Sequence, residues 1–403
     1  MKKVIGFYHP AFPGGGAERI TLDIIRYLER SGQYEIYVIT QILNERYVTD
    51  SMRSLNIVVL PDLKSTQEDI EKAMSDLFRR AMFTVFVQVG GPYFPWLRKL
   101  ADAFDTRIVF ANHSGPYWEE IEIVRSRSEI SKKSIKDRIE WLLFRKFAYT
   151  VLGKARKKSV RIQERIYRDS DAYTVLCDEY KMIFRKKLGL GPGADKFVVM
   201  HNPEYEVPDI SYAKKNVVLF VGRLTLQDKR PDRLLRIWKK VQDKIPDYTL
   251  KIVGDGPERE NLIALSRKLG LHRTSFEGYR TDVASYYRDA SVLCLTSSSE
   301  GWPLCLTEAQ SNGVIPIAFG CSGGVREILG PSGENGFIVR PFSEREFART
   351  LLDVLKMPEE EKMRIRHNAV RKSRTYSVDS ICERWKKLFD SLSSDGVPDS
   401  SLK

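Results

Sequence analysis

Short apolar runs alternate with longer helix-like stretches along the chain, and this alternation restricts the fold more than any other feature. In the first half, strand-like runs are predicted at residues 4–8, 35–40, 57–60, 83–89, 107–111, 172–176 and 197–200. Strands that are separated by helical stretches are typical of βαβ units. The pattern therefore predicts an α/β fold with a doubly wound parallel sheet that is covered by helices on both faces.

The same alternation begins again after a polar segment, so we predict two domains in the 403 residues. Residues 205–216 are polar, contain Pro208 and show no periodicity, which is typical of a linker. Further strands are predicted at 217–221, 250–253 and 291–295, with a short one near 337–339. The predicted bounds are 1–204 for the N-terminal domain, 217–376 for the C-terminal domain, 377–392 for a last helix that crosses back to the N-terminal domain, and 393–403 for a disordered tail.

The composition argues against a membrane-spanning or secreted chain. No run approaches the roughly 20 apolar residues of a membrane span, and the N-terminal residues 1–8 are predicted to be a first strand rather than a signal peptide. The five cysteines are scattered, odd in number and mostly inside apolar runs, which indicates reduced thiols in a cytoplasm. Their spacing relative to histidines matches no zinc site.

The net charge of +13 is concentrated in one segment. Residues 121–170, called the basic region below, hold fifteen Lys and Arg against six Asp and Glu, a net charge of +9. Within this region, residues 141–152 mix aromatic and aliphatic side chains with Lys and Arg, as an interfacial amphipathic helix does. An anionic inner membrane surface and nucleic acid are both possible partners of such a segment, and an ordinary helix with a solvated basic face is the alternative.

One strand–loop–helix junction, at residues 291–312, carries two carboxylates. Glu300 is in the loop after the 291–295 strand, Glu308 is inside the following helix, and Pro303 is near the start of that helix. A helix N-terminus offers N–H groups and a positive dipole end to an anionic ligand, whereas carboxylates accept hydrogen bonds from hydroxyl groups. A site that gathers phosphate and polyol hydroxyls indicates a sugar nucleotide.

The residues around this junction resemble a known signature. Seven residues separate Glu300 from Glu308, and the chain continues with Ala309, Gly313, Pro316 and the segment Gly-Gly-Val-Arg-Glu at 323–327. This pattern resembles the Glu-x7-Glu signature of family-four glycosyltransferases, and the resemblance is dense from residue 217 to about residue 339. It implies a GT-B fold, in which an N-terminal Rossmann-like acceptor domain and a C-terminal Rossmann-like nucleotide-sugar-binding domain face each other across a cleft. It also implies a reaction that retains the configuration of the transferred sugar.

Two cations on one loop are candidates for binding a diphosphate. Arg223 and Lys229 both follow the predicted strand at 217–221, and phosphate is well recognised by an Arg fork and a Lys point charge. The resemblance implies that these two residues grip the donor diphosphate. Arg230 is an alternative to Lys229 for this role, because the two stand next to each other.

A glycine-rich loop follows the first predicted strand and leads into a helix. It does not match the dinucleotide fingerprint G-x-G-x-x-G, because Arg19 stands at the third glycine position. Nor does an acidic residue follow the second strand, where a ribose partner is expected, so the pattern argues against a dehydrogenase. The resemblance implies that Gly15 and Gly16 lie near the diphosphate and the acceptor.

Two further features of the first half are a histidine that follows a strand and a pair of aspartates that precedes one. His113 comes two residues after the 107–111 strand, and the resemblance implies that it faces the transferred sugar. Asp169 and Asp171 form an Asp-x-Asp pair, which holds a divalent metal in other glycosyltransferase folds. Because this pair precedes a strand instead of following one, we predict no metal role for it.

The resemblance assigns further roles one residue at a time. Glu308 is expected to bind the nucleotide ribose, and Glu300 is expected to hold the transferred sugar. The predicted catalytic residues are His113, Glu300, Arg223 and Lys229. The predicted donor-binding residues are Gly15, Gly16, Arg223, Lys229, Gly254, Tyr279, Arg280, Glu300, Gly301, Trp302, Pro303, Leu304 and Glu308.

The sequence therefore predicts a retaining glycosyltransferase that uses a nucleotide-diphosphate sugar, with UDP favoured, and needs neither a metal nor another cofactor. The expected acceptor is a polyprenyl-linked or polysaccharide glycan of cell-surface synthesis. The expected location is cytoplasmic, on the inner face of the plasma membrane through the basic region, without a nucleic-acid partner. Two alternatives remain open: a nucleotide-sugar epimerase of the same fold and a basic nucleic-acid-binding protein without catalysis.

Overall fold

Two parallel sheets, of seven and six strands, form the framework of this computed structural model. The structure describes residues 2–62, 65–131, 134, 139–141, 146–191, 193 and 195–393. One sheet belongs to a first unit, Met1–His201 with Cys382–Lys403, and the other to a second unit, Asn202–Ile381. The predicted α/β class with two doubly wound parallel sheets is confirmed.

The first sheet has the order β3-β2-β1-β4-β5-β6-β7, and every neighbouring pair is parallel. The chain moves outward from β1 to β3 and then returns to continue on the other side of β1, so the winding direction reverses between β1 and β4. Its strands are β1 (Lys3–Phe12), β2 (Tyr34–Leu43), β3 (Asn56–Val59), β4 (Val85–Val89), β5 (Arg107–Ala111), β6 (Ala172–Val175) and β7 (Phe197–Val199).

Helices of the first unit pack on this sheet through aromatic and aliphatic side chains, and Phe78, Phe83 and Phe86 form one fully buried cluster. These helices are α1 (Gly16–Arg30), α2 (Gln67–Ala81), α3 (Leu97–Ala103), α4 (Trp118–Ser131), α5 (Lys146–Thr150), α6 (Lys154–Asp169) and α7 (Asp178–Lys187). The predicted amphipathic stretch at 141–152 includes residues 142–145, which lie outside the described residues.

The second sheet has the order β10-β9-β8-β11-β12-β13, again with parallel pairs, and its winding direction reverses between β8 and β11. Two of its strands, β10 and β12, have no counterpart among the predicted strands. The strands are β8 (Val217–Val221), β9 (Thr249–Val253), β10 (Thr274–Gly278), β11 (Val292–Leu295), β12 (Ile315–Phe319) and β13 (Phe337–Val339).

Helices of the second unit bury one core around Trp238, which is fully enclosed together with Leu234, Phe347 and Leu351. They are α8 (Pro231–Val241), α9 (Arg259–Lys268), α10 (Ala284–Asp289), α11 (Leu304–Ser311), α12 (Gly323–Leu329), α13 (Glu344–Lys356) and α14 (Glu359–Arg374). Within the described residues, no helix of either unit has both the length and the apolar character that crossing a membrane requires.

The last helix, α15 (Val378–Ser393), begins in the second unit and ends in the first. Its C-terminal part contacts the first sheet, where Phe389 packs edge-on against Phe7 of β1 at 6.1 Å between ring centroids. Asp390 accepts hydrogen bonds from Lys3 at 2.6 Å and from the Tyr34 hydroxyl at 2.7 Å. The predicted tail at 393–403 lies outside the described residues from 394 onward.

Candidate functional site

The winding reversal in the second sheet brings together the loops that follow β8 and β11. Lys229 lies on the loop after β8, and Glu300 lies on the loop after β11. In open parallel sheets, ligands bind beyond the carboxyl ends of the strands at such a reversal, because the two loops diverge and leave a crevice. The topology therefore places Lys229 and Glu300 where this sheet can hold a ligand.

Lys229 and Glu300 are in direct contact. The Lys229 Nζ donates to Glu300 Oε1 at 2.8 Å and to Oε2 at 3.0 Å, and the Ser297 hydroxyl donates to Oε1 at 2.6 Å. The exposed fractions of the two side chains are 17% for Lys229 and 8% for Glu300. Burial by itself lowers the pKa of Lys229, but the attraction of the Glu300 carboxylate outweighs it and the pKa is raised. The lysine is therefore a fixed cation.

The loop after β8 has a defined conformation that points Lys229 and Arg230 to different partners. Arg230 adopts a left-handed φ of 51° just before α8 and forms a two-pronged ion pair with Asp232 at 2.9 and 3.0 Å. Asp228 accepts from the Thr225 hydroxyl, and its carbonyl accepts from the Ser298 N–H at 2.7 Å. Between the two adjacent cations, it is therefore Lys229 that contacts Glu300.

Arg223 lies on the same loop but is largely in solvent, with 72% of its side chain exposed. Its Nη2 donates to Asp228 Oδ2 at 2.9 Å. Burial raises the pKa of Asp228, but the Thr225 hydrogen bond and the Arg223 charge together bring it below the usual value. The Asp228 carboxylate thus binds Arg223 through Nη2, while most of the guanidinium remains in solvent. The guanidinium has five N–H donors, so several remain available to an anion.

Glu308 occupies the middle of α11 and is held by a residue that the sequence analysis did not single out. The hydroxyl of Tyr287, on α10, donates to Glu308 Oε2 at 2.8 Å. Tyr287 is buried, and burial followed by the Glu308 charge raises its pKa well above the ordinary value. The phenol is therefore a permanent hydrogen-bond donor that fixes one oxygen of a half-buried carboxylate.

Two glycines of the second unit allow loops to approach each other closely. Gly254, after β9, has a φ of 130°, and a Cβ there would lie 2.0 Å from the carbonyl oxygen of Gly222. A Cβ on Gly324, in the first turn of α12, would lie 2.1 Å from the carbonyl oxygen of Gly301. The loop after β9 is therefore packed backbone to backbone against the loop after β8, and the start of α12 is packed in the same way against the loop after β11.

The side chain of Trp302 is part of the core. It is 5% exposed and packs edge-on against Tyr376 at 5.0 Å between ring centroids. Next to it, the Thr307 hydroxyl donates to the buried carboxylate of Glu204 at 2.7 Å. Trp302 and Thr307 thus hold the chain just before and inside the first turns of α11, where Pro303 precedes Leu304 without a side-chain cap.

Two of the predicted donor-binding residues, Tyr279 and Arg280, lie on the loop after β10. Tyr279 is 68% exposed, and Gly278 before it adopts a left-handed φ of 71°. Arg280 lies 3.9 Å from Glu277, whose other partners are the hydroxyls of Ser275 and Tyr286. This loop offers an exposed aromatic ring and a guanidinium.

In the first unit, the glycine loop lies beside the polar side chains of His9, Glu18 and Thr21. A Cβ on Gly15 would lie 2.4 Å from Glu18 Oε2, so the Glu18 side chain folds back over the loop, and Gly16 begins α1. His9 is buried, with Nε2 at 2.9 Å from the Thr21 hydroxyl and Nδ1 at 3.9 Å from Glu18 Oε1.

His113 follows β5 and lies close enough to His9 to influence its protonation. Burial, and then the charge of His113, lower the pKa of His9 to about 3, so His9 is a neutral imidazole. The turn that carries His113 is held by Asn112, whose Nδ2 donates to the Tyr173 hydroxyl at 3.2 Å and whose Oδ1 accepts from the Ser114 N–H at 2.9 Å. A fixed backbone therefore presents His113 at the carboxyl end of the first sheet.

The Asp-x-Asp pair is engaged by protein groups. Asp169 accepts from the Tyr93 hydroxyl at 2.5 Å, and Asp171 accepts from Arg98 at 2.8 Å and from the Ile108 N–H at 2.7 Å. In the part of the chain that the structure describes, no cluster of three His, Cys, Asp or Glu side chains is arranged to hold a metal ion.

The second unit is similar in sequence to known glycosyltransferases. Residues 203–372 match the family model "Glycosyl transferases group 1". An uncharacterised glycosyltransferase of Haemophilus influenzae is 32% identical over 54% of this chain and 61% of its own length. The amylovoran biosynthesis glycosyltransferase AmsD of Erwinia amylovora is 32% identical over 45% of this chain and 50% of its own length.

A third relative is named for its lipid-linked substrate. The GalNAc-α-(1→4)-GalNAc-α-(1→3)-diNAcBac-PP-undecaprenol α-1,4-N-acetyl-D-galactosaminyltransferase of Campylobacter jejuni is 30% identical over 45% of this chain and 49% of its own length. This chain thus spans between about half and three fifths of the length of these curated relatives.

The fold of the whole chain matches solved structures. The crystal structure of Anabaena HepE in complex with UDP and glucose has a TM-score of 0.73, at 17% identity, over 96% of this chain and all of that chain. The predicted GT-B class, with two Rossmann-like parallel-sheet domains in one chain, is confirmed. The resemblance seen in the sequence is confirmed as well, because residues 203–372 match the glycosyl transferases group 1 model and the relatives are named as glycosyltransferases.

Proposed function

We propose that the protein is a glycosyltransferase that moves a sugar from a nucleotide-diphosphate sugar to a glycan or lipid-linked acceptor. The observation that carries this proposal is the buried contact between Lys229 and Glu300 at the winding reversal of the second sheet. A fixed cation and a carboxylate side by side match the two chemical parts of a sugar nucleotide, its anionic diphosphate and its hydroxyl-bearing sugar.

Cleavage of a sugar–phosphate bond leaves negative charge on the departing diphosphate and positive charge on the sugar ring. In our proposal, Lys229 and Arg223 stabilise the departing diphosphate, because preorganised cations act most strongly where charge develops. Lys229 is already oriented by Glu300, whereas the exposed Arg223 moves from Asp228 onto the donor when it binds. These two cations and the N–H groups at the start of α11 perform this task without a metal ion.

The two carboxylates of the junction have separate roles in this proposal. Glu300, whose charge Lys229 balances, accepts hydrogen bonds from hydroxyls of the transferred sugar. Glu308, held on one side by Tyr287, accepts from the ribose hydroxyls of the nucleotide. We further propose that His113 contacts the transferred sugar and that the acceptor hydroxyl attacks from the face that the diphosphate leaves, so the configuration is retained.

The choice of UDP and of a lipid-linked acceptor is supported by relatives alone. HepE, which shares the fold, was crystallised with UDP and glucose. The name of the Campylobacter relative specifies an oligosaccharide on undecaprenyl diphosphate. We propose that this chain likewise uses a UDP-sugar and extends a polyprenyl-linked or polysaccharide glycan of the cell surface.

The basic region supports a location on the cytoplasmic face of the plasma membrane. Phe147, Val151 and Leu152 are exposed around α5, and Lys146 and Lys154 are their neighbours in the chain. Apolar side chains in solvent beside cations are typical of segments that insert into the headgroup layer of an anionic bilayer. We propose that these side chains hold the enzyme at the membrane where a lipid-linked acceptor resides.

The proposed reaction is tested by incubating the purified protein with UDP-, GDP- and ADP-sugars and following donor cleavage by NMR, with and without a chelator. We expect cleavage of one UDP-sugar, no loss of rate on chelation, and an α-configured product from an α-configured donor. Cleavage that stops when metal is removed would refute the metal-independent mechanism. Interconversion of two UDP-sugars without release of UDP would show an epimerase instead.

A further inference from the structure

The polar segment before β8, predicted to be a linker at 205–216, packs against helices of the second unit. The ring of Tyr212 contacts that of His367 on α14 at 4.5 Å between ring centroids. A Cβ on Gly313, which follows α11 with a φ of 65°, would lie 3.2 Å from the same tyrosine ring. The backbone next to Lys214 is therefore held against α14 and the end of α11.

Lys214 extends from this segment to the C-terminal ends of two helices. Its Nζ donates to the carbonyl oxygens of Tyr287 at 3.2 Å and Arg288 at 3.1 Å, in the last turn of α10, and to that of Asn312 at 2.7 Å, at the end of α11. The last carbonyl groups of a helix have no partner within the helix, and a cation beside them also interacts favourably with the helix dipole. One ammonium group therefore ties the end of α10 to the end of α11.

Two of the residues that Lys214 contacts also hold Glu308. The Tyr287 hydroxyl donates to Glu308 Oε2 at 2.8 Å. Asn312 donates to the Glu308 carbonyl oxygen twice, from its N–H at 3.2 Å and from its Nδ2 at 2.9 Å. Lys214 is thus one hydrogen bond away from the residue that orients the Glu308 side chain and from a residue that holds the Glu308 backbone.

We infer that Lys214 is a positioning residue of the nucleotide site, which sets the end of α10 against the end of α11 and thereby fixes Glu308 for the ribose. This inference rests on the proposed function, in which Glu308 binds the ribose hydroxyls, and it adds a residue to which the resemblance assigns no role. Lys214 acts through Tyr287 and Asn312, so its removal lowers nucleotide affinity without removing a contact to the nucleotide.

Charged groups from the neighbouring elements act on Lys214. Burial, and then the charge of Arg366 on α14, lower the pKa of Lys214 to about 8, while the charge of Asp289 at the end of α10 opposes this change. Asp289 is itself paired with Lys215 at 2.8 Å. On α11 the only acidic or basic side chain is Glu308. Lys214 therefore exchanges its proton close to neutral pH.

The protonation of Lys214 sets how many carbonyl groups it can bind. An ammonium group has three N–H donors, whereas a neutral amine has two, and three carbonyl oxygens surround this side chain. As the pH rises through about 8, the tie between α10 and α11 loosens. Burial keeps the pKa of Tyr287 well above this range, so the phenol retains the proton that it donates to Glu308. The nucleotide site should therefore weaken in alkaline solution.

The first test compares variants of the full chain by isothermal titration with UDP at pH 7. Lys214→Met keeps an apolar side chain of similar length, and UDP affinity should fall about fivefold because the hydrogen bonds of a charged group are lost. Lys214→Arg keeps a cation with several donors and should stay within about twofold of the wild type. Lys215→Met removes the adjacent, more exposed cation and is the matched control, with affinity again within about twofold.

The second test repeats these titrations at pH 9, where most of Lys214 is neutral. The affinity of the wild type relative to Lys214→Arg should fall about threefold between pH 7 and pH 9, because the arginine stays charged. Ionisation of UDP affects every variant alike and cancels in this ratio. Lys214→Met should show no such fall relative to Lys214→Arg. Circular dichroism at both pH values verifies that each variant is folded.

The third test asks whether Lys214 acts through Glu308. Lys214→Met/Glu308→Gln should bind UDP no more than about twofold more weakly than Glu308→Gln alone, because the carboxylate that Lys214 positions is already gone. A general loss of stability would instead multiply the two effects. The inference is overturned if Lys214→Met binds UDP as the wild type does, if the two substitutions act independently, or if the ratio of wild type to Lys214→Arg is the same at both pH values.

The titrations also separate this inference from the proposed function. UDP binding whose strength does not depend on Lys214 would refute the positioning role and leave the proposed function standing. A wild-type protein that binds none of UDP, GDP and ADP would refute both.

Discussion

Lys229 Nζ lies 2.8 Å from Oε1 and 3.0 Å from Oε2 of Glu300, and both side chains are largely removed from solvent. The two residues follow adjacent strands on either side of the winding reversal. Each charge is therefore tolerated because the other is present, and the pair is both a structural element and the centre of the proposed donor site.

Lys229→Met should destabilise the protein by about 3–5 kcal/mol, because it leaves the Glu300 carboxylate buried without its cation. The double variant Lys229→Met/Glu300→Gln should recover much of this loss, yet it should show no donor cleavage. Urea denaturation and the NMR cleavage assay measure the two effects separately. Arg230→Met, which removes the neighbouring and more exposed cation, is the matched control and should keep donor cleavage. Normal cleavage by the double variant would contradict the role of the pair.

The contact between Tyr287 and Glu308 gives a second prediction. Glu308→Gln should weaken UDP binding about tenfold, because a neutral amide accepts hydrogen bonds from ribose hydroxyls less strongly than a carboxylate. Tyr287→Phe should weaken it less, since it only frees the orientation of Glu308, and should cost about 1 kcal/mol of stability. Isothermal titration with UDP measures both affinities. Tyr248→Phe serves as the control, because the Tyr248 hydroxyl donates to the Leu355 carbonyl and does not contact Glu308 through the bond tested. Unchanged UDP binding by Glu308→Gln would rule out the ribose role.

Most strands could be predicted from apolar runs, and the exceptions have physical causes. β12 is fully buried but contains Pro316, which usually argues against a central strand because it lacks an N–H group. β10 is a half-exposed edge strand whose sequence, Thr274–Gly278, is mostly polar. β10 therefore lacks the continuous apolar pattern that identified β5 and β8, whereas in β12 Pro316 interrupts an otherwise apolar run.

At the site, the sequence indicated which residues matter but not which residues touch. Lys229 and Glu300 could be placed on loops after strands, yet they are 71 positions apart and their contact depends on the conformation of both loops. Tyr287 carries no local signal, because its role arises only when α10 packs beside α11. The choice between Lys229 and Arg230 likewise required the left-handed turn at Arg230.

Gly254 provides a test of the close loop packing in the second unit. Gly254→Ala should destabilise the protein by about 3 kcal/mol or more, because its Cβ would lie 2.0 Å from the Gly222 carbonyl oxygen and its φ of 130° is unfavourable for alanine. Gly270→Ala, with a φ of 65° and no heavy atom within 4 Å of the new Cβ, should cost only about 1 kcal/mol. The midpoints of urea denaturation measure the stability of both variants. Equal losses of stability would show that the loops at Gly222 and Gly254 can move apart to admit the new Cβ.

Membrane binding is tested by removing charge from the start of α6. Substituting Gln at Lys154, Arg156, Lys157 and Lys158 should weaken binding to phosphatidylglycerol-containing vesicles about 100-fold or more, since each basic residue near an anionic surface contributes about 1 kcal/mol. Leu152→Ser should weaken it further and independently of salt. Vesicle co-sedimentation is the measurement. The same substitution at the exposed Lys239, Lys240, Lys244 and Lys268 of the second unit is the charge-matched control. Full binding by the first variant would end the membrane proposal.

The contacts of Asp390 predict an acid-sensitive attachment of α15. Burial alone would raise the pKa of Asp390, but hydrogen bonds from Lys3, Lys386 and Tyr34 lower it to about 2. In an unfolded chain the pKa of Asp is about 3.9, so this carboxylate stabilises the fold above that pH and loses its contribution as the pH falls toward 2.

Asp390→Asn should therefore lower the free energy of unfolding by about 1 kcal/mol near neutral pH, a modest value because the pair is partly solvated. The difference between variant and wild type should shrink as the pH falls from about 4 toward 2, because the wild-type carboxyl becomes neutral in the same interval. Urea titrations across this range measure it, with the exposed Glu71→Gln of α2 as control. A difference that stays constant with pH would mean that Asp390 acts through packing instead of through its charge.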